Sequence, residues 1–110
     1  MTRRFDALFV YGSLLDEAKR VEILGHRVEV IAARLAGFER RRGRYFYIAP
    51  AAEAETSGLI MLGLSEEDWH RLDAYEELPD LYTREEVEVF TDGGVLGCWL
   101  YLPTAKCLSS

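Results

Sequence analysis

The fold class this sequence predicts is α+β, with a mixed, strongly twisted sheet or small open barrel and two helices. Short strand-like runs are bounded by Gly, Pro or charged clusters, two helical segments interrupt them, and Asp92-Gly93-Gly94 marks a hairpin between two late strands. Phe5 to Tyr11 is rich in aromatic and β-branched residues and stops at Gly12, which reads as a buried strand. Asp16 to Leu24 reads as a helix with Ala18, Val21 and Leu24 on its apolar face and Gly25 as its stop. Three strands are expected next, at Val28 to Leu35, at Arg44 to Ala49 ending at Pro50, and at Thr56 to Leu64.

The second helix is the informative one. Ser65 and the acidic turn Glu66-Glu67-Asp68 supply the chemistry that satisfies orphan amides at a helix start. At roughly 100° per residue, Trp69, Leu72 and Glu76 share one stripe, while Glu66, His70, Asp73 and Glu77 take the opposite, wet one. Glu76 is therefore expected to face the core. A buried carboxylate without a partner is costly, so it raises its pKa, finds donors or lines a pocket. After Pro79, Tyr82 to Phe90 alternates as a half-buried strand, and Val95 to Leu102 returns beside it until Pro103. About six strands and two helices result, with Thr104 to Ser110 as a loosely held tail or a pocket lid.

A chain of 110 residues fits a single domain, 1–110, and its 49% hydrophobic and 29% charged content is that of a soluble globular protein. No apolar run approaches the length of a membrane span, and an acid interrupts the N-terminus at once, so a cytoplasmic address is expected. Cys98 and Cys107 suit free thiols, with no metal site. A net charge of −6 argues against nucleic acid as a main partner. Arg40-Arg41-Arg42-Gly43-Arg44-Tyr45-Phe46-Tyr47 interleaves basic and aromatic residues as RNA-contacting patches do. A hairpin with solvated arginines is the favoured reading, or one that sets an arginine at a pocket rim.

Two segments carry the candidate chemistry. Tyr11-Gly12-Ser13-Leu14 lies between the first strand and helix, where glycine permits a sharp turn and successive amides can converge on an anion. Ser13 is not expected to act as a nucleophile, because neither His26 nor His70 is linked to it by a motif. In Leu72 to Arg84, a helix ends in Glu76, a proline reverses the chain, and Tyr82 and Arg84 open a strand. A phenol bonded to Glu76 would fix its rotamer, and Arg84 would pair with a carboxylate or tie down the turn.

Together, Phe9-Val10-Tyr11-Gly12-Ser13-Leu14, Leu72-Asp73-Ala74-Tyr75-Glu76, the Pro79 to Tyr82-Thr83-Arg84 continuation and Cys98-Trp99-Leu100-Tyr101-Leu102 resemble the γ-glutamylcyclotransferase-like family, with its γ-glutamylamine cyclotransferases and AIG2-like members. The resemblance spans most of the chain. It implies a small β-barrel flanked by two helices. It also implies an enzyme that cleaves a γ-glutamyl amide by attack of the substrate's own α-amino group, releasing 5-oxoproline and a free amine. On that resemblance Tyr11, Gly12, Ser13 and Leu14 bind the γ-glutamyl group, Glu76 is the general acid/base, and Tyr82 or Tyr101 orients it. The implied partner is a small-molecule γ-glutamyl substrate, with no metal or organic cofactor. The residue after the glutamate is often glycine in relatives, whereas here it is Glu77. Asp16 and Glu17 near the loop would favour a neutral or cationic leaving amine. The alternative from another class is a non-catalytic small-molecule binding module that uses the same carboxylate-gripping loop.

Overall fold

The computed structural model describes residues 2–43 and 46–108. Five strands, β1 (Thr2–Val10), β2 (Val30–Arg42), β3 (Phe46–Met61), β4 (Tyr82–Thr91) and β5 (Gly94–Pro103), close into a barrel in the order β1-β3-β2-β4-β5. All neighbours are antiparallel except β1 and β5, whose parallel pairing closes the ring. Helix α1 (Glu17–Leu24) follows a single 3-10 turn at Ser13–Leu15, α2 (Glu66–Tyr75) joins β3 to β4, and the short α3 (Ala105–Leu108) follows β5. No helix among the described residues is long and apolar enough to cross a membrane.

The apolar run of β1 is explained by burial on both faces. Ala7, Phe9 and Tyr11 point into the barrel with Leu35, Ile48, Ile60 and Leu100. Leu8 and Val10 point the other way, into a second core with Leu24, Trp69 and Leu72 of the helices. Strand β4 covers the barrel with one face only, so Val89 is fully buried while Glu86, Glu88 and Phe90 are exposed, as its alternation predicts.

Five strands replace the expected six. Pro50 does not end a strand, because β3 runs through it and Pro50 pairs with Phe38. The ladder is irregular at that point: Ala36 pairs with Glu55 and Phe38 with Pro50, so residues 51–54 oppose the single Gly37. A bulge in one long ribbon therefore looks, in sequence, like a break between two strands. Thr56, itself buried, donates its hydroxyl to the Phe38 carbonyl at 3.0 Å and stitches the irregularity. The Arg40 to Tyr47 stretch forms the far end of this β2–β3 hairpin, with Arg44 and Tyr45 outside the described residues.

Two further expectations are corrected. Ala18 is exposed, and the inward face of α1 is instead Arg20 and Leu24, one turn apart. The tail is folded from Thr104 to Leu108: the Thr104 hydroxyl donates to the Asp80 carbonyl at 2.5 Å, and its oxygen accepts from the Cys107 amide. Residues 109 and 110 lie outside the described residues. Cys98 and Cys107 are both buried, and neither forms a disulfide.

Candidate functional site

A cavity of about 300 Å³ opens between the end of α2, the Tyr11 to Leu14 loop and the far end of the β2–β3 hairpin. Tyr11, Gly12, Ser13, Leu14, Glu76, Tyr82 and Tyr101, the site residues expected from sequence, all line it. The helix end and the glycine loop also touch directly, since the Ser13 hydroxyl and the Tyr75 hydroxyl lie 2.6 Å apart.

Glu76 is placed by the way α2 begins and ends. Ser65 and Asp68 form a reciprocal capping box at the start, and Asp68 also meets His26 Nε2 at 2.7 Å. Arg71 donates to the Leu24 carbonyl at 2.8 Å, which ties the end of α1 to α2. At the far end Glu76 keeps a helical backbone and donates its N–H to the Leu72 carbonyl. Glu77 then turns left-handed, with φ of 58°, as the Glu77 and Leu78 amides bond back to Ala74 and Asp73. This pairing is a Schellman ending, whose left-handed residue is usually glycine because a Cβ there is strained. Glu77→Gly is expected to stabilise the protein by about 1 kcal/mol, read as a higher urea midpoint. An unchanged or lower midpoint would mean that the turn carries no strain.

The electrostatics single out one group. Glu76 is half-buried and accepts no hydrogen bond from any described residue, and its burial pushes the carboxyl up to about 7. Burial drives the phenols of Tyr11 and Tyr101 far above the ordinary tyrosine range, so both stay protonated. The phenols do not serve Glu76 as expected. Tyr82 donates to the Phe46 carbonyl at 3.1 Å and Tyr101 donates to Asp73 at 2.6 Å, and a hydroxyl has only one proton to give. Tyr11 donates to the Tyr101 carbonyl at 2.8 Å.

The loop is held from behind by two arginines. Arg20 is buried and donates to the carbonyls of Leu14 and Leu15, both at 2.9 Å. Arg40 donates to the Tyr11 carbonyl at 3.0 Å, and a trans peptide points its N–H opposite to its carbonyl, so the Gly12 amide turns away from Arg40. The first amides of such a turn have no intrahelical acceptor, and those of Gly12, Ser13 and Leu14 find none among the described residues. Phe46 packs on the loop so closely that a Cβ at position 12 would lie 3.3 Å from its own Cβ. The Arg42 guanidinium lies 5.1 Å from the Phe46 ring centre, and the residue lines the cavity. Arg41 pairs with Glu39 at 2.5 Å.

Sequence reasoning missed Asp73, Tyr75, Phe46, Arg20 and Arg40. Asp73 was expected on the wet stripe of α2, yet it sits only about 40° around the helix from Trp69 and is half-buried. It accepts from Tyr101 and pairs with Arg84 at 3.3 Å, the carboxylate partner that Arg84 was expected to find. The other four act through tertiary contact, for which only the apolar register of Arg20 with Leu24 gave a local signal. Asp16 and Glu17 do not line the cavity; among the described residues the charged side chains that do are Arg42, Glu76 and Glu77. Among the described residues no cluster of His, Cys, Asp and Glu could hold a metal ion.

Known proteins share both the sequence pattern and the architecture. A family model described as gamma-glutamyl cyclotransferase, AIG2-like, matches residues 8–109. An Arabidopsis thaliana AIG2-like protein C is 38% identical over 86 residues, covering 74% of this chain and 48% of its own. A Methanocaldococcus jannaschii protein described as a gamma-glutamylcyclotransferase and putative RNase is 27% identical, covering 86% of this chain and 45% of its own. The chain thus spans about half the length of the curated relatives it matches. Among solved structures, an Arabidopsis thaliana protein superposes with a TM-score of 0.80 at 28% identity, over 91% of this chain and 69% of that one. A structure described as a gamma-glutamyl cyclotransferase does so with 0.78 at 21% identity, over 89% and 66%, and shares the fold. With nearly its whole length matched by the family model and the same barrel in its relatives, the chain belongs to the gamma-glutamyl cyclotransferase, AIG2-like family.

Proposed function

We propose that the protein cleaves a γ-glutamyl amide by intramolecular cyclisation, with Glu76 as its general acid/base. The observation that carries this reading is a half-buried carboxyl near neutrality that accepts no hydrogen bond from a described residue, facing across one cavity a loop whose amides find no acceptor among the described residues. Family membership supports the reaction class.

The substrate brings its own nucleophile, so the protein need not supply one. The amides of Gly12, Ser13 and Leu14 take the substrate α-carboxylate, which sets the α-ammonium beside Glu76. Glu76 accepts one ammonium proton, and the freed amine attacks the side-chain carbonyl carbon to close a five-membered ring. Collapse of the tetrahedral species breaks the carbon–nitrogen bond of the amide as Glu76 returns the proton to the departing amine; the carboxylate then takes the second proton from the ring nitrogen and passes it on, so that the amine leaves as an ammonium. The products are 5-oxoproline and a free amine, and the carboxylate is regenerated. A group that titrates close to working pH suits both transfers, because it is a competent base and, once protonated, a competent acid. Folding the substrate against the loop brings amine and carbonyl into near-attack geometry, a contribution of several kcal/mol in favourable cases.

The test is incubation with a panel of γ-glutamyl amines and γ-glutamyl dipeptides, with 5-oxoproline measured by mass spectrometry. Release from at least one is expected. Binding with no release across the panel would contradict the enzyme and leave the binding module in its place.

A further inference from the structure

Among the described residues four phenols lie at this cavity, and three of them have their proton committed. Tyr11 and Tyr82 give theirs to backbone carbonyls, Tyr75 shares a hydrogen bond with Ser13, and Tyr101 gives its proton to the side chain of Asp73. The last differs from the others in that its acceptor is a carboxylate, and that side chain is itself anchored. Arg84 pairs with Asp73 at 3.3 Å while its guanidinium lies 4.6 Å from the Trp69 ring centre and 5.6 Å from that of Trp99. Asp73 also precedes Glu76 by three residues, so the two carboxyls project from the same side of the helix end.

We propose that Asp73 is a positioning residue of the site: by taking the single hydroxyl proton of Tyr101, it keeps that phenol from donating to Glu76. A donor would favour the charged form and make Glu76 a weaker base. None of the other described groups that share the cavity with Glu76 donates to it, and the Ser13 and Tyr75 hydroxyls bond each other. Tyr11 from β1 and Tyr82 from β4 are committed to carbonyls, Arg42 from β2 stands over Phe46, and Glu77 is an exposed acid. The Tyr101 oxygen, having given its proton away, can only accept, which suits a substrate ammonium; that last point rests on the cyclisation reading.

The test needs no turnover, so it stands or falls apart from that reading. Glu76 is followed by carboxyl-carbon NMR across pH in the free protein. Asp73→Ala is expected to lower the Glu76 midpoint by about one unit or more, Tyr101→Phe alone to leave it in place, and the double variant to restore it. Because Asp73→Ala leaves Arg84 unpaired and risks misfolding, Asp73→Leu with Arg84→Leu removes the pair together, a change buried pairs often tolerate. It too should lower the midpoint, and adding Tyr101→Phe should reverse that. An unchanged midpoint in both backgrounds overturns the proposal. So does a lowering that survives Tyr101→Phe, which would assign the effect to the released Arg84 cation or to repacking.

Discussion

Glu76→Gln is expected to lower 5-oxoproline release by about a hundred- to ten-thousandfold while leaving substrate binding intact. It should also make the protein more stable at alkaline pH. The carboxyl titrates near 7 in the folded protein against 4.5 for the ordinary group. The fold thus favours the protonated form: that contribution is complete below 4.5 and is lost as pH rises through 7. Glutamine is neutral throughout. Discounted for partial exposure, the variant should gain about 1 to 3 kcal/mol at pH 8 and nothing at pH 4.5, read from urea midpoints at the two values. A variant that loses activity but gains no alkaline stability would mean that Glu76 is not held away from solvent and donors as described.

The second large effect lies outside the cavity. Gly58→Ala is expected to destabilise the protein by about 3 kcal/mol, the upper end for overpacking, with Tm falling by roughly 10 to 20 °C. A Cβ at position 58 would overlap the Val10 carbonyl oxygen and come within 2.7 Å of the Phe9 ring. Both belong to β1, which pairs with β3 at this place through Val10 and Leu59. A backbone carbonyl cannot swing aside as a side chain does, so relief requires β1 and β3 to part. Val10 leads directly into Tyr11 and Gly12, so the loss of stability should be accompanied by weaker substrate binding. A Gly58→Ala protein with native Tm would show that the two strands are not in such close contact.

Gly58 also shows what the sequence could and could not disclose. In the linear chain it is one glycine between Ser57 and the apolar Leu59-Ile60-Met61, and nothing nearby announces that β1 passes over it. The same holds for the parallel contact of β1 with β5, which joins the two ends of the chain and leaves no local signal. What was legible rests on local periodicity and local turn chemistry: the capped start of α2, the alternation of Val87 and Val89 against Glu86 and Glu88, the hairpin at Asp92-Gly93, and the Gly25 stop of α1. Glu76 was legible for the same reason, since a helix that buries Trp69 and Leu72 carries the carboxyl four residues beyond Leu72 toward the same side. Asp73 was misread because a stripe drawn two residues wide hides how close its edge is to the core. Pro50 was misread because a bulge and a strand end share the same residue signature. Arg20 and Arg40 reach the loop through tertiary contact, and an arginine in a helix or hairpin ordinarily reads as solvated.

The account turns on one carboxyl that serves as base, then acid, beside the glycine loop. The direct measurement is the pH profile of kcat/KM for a γ-glutamyl amide that the protein turns over, since that ratio reports ionisations of the free enzyme. The expected profile falls tenfold per unit below a midpoint close to 7, and the limb disappears with the activity in Glu76→Gln. A limb centred at the ordinary 4.5, or one that persists at full height in the glutamine variant, would contradict the role given to Glu76.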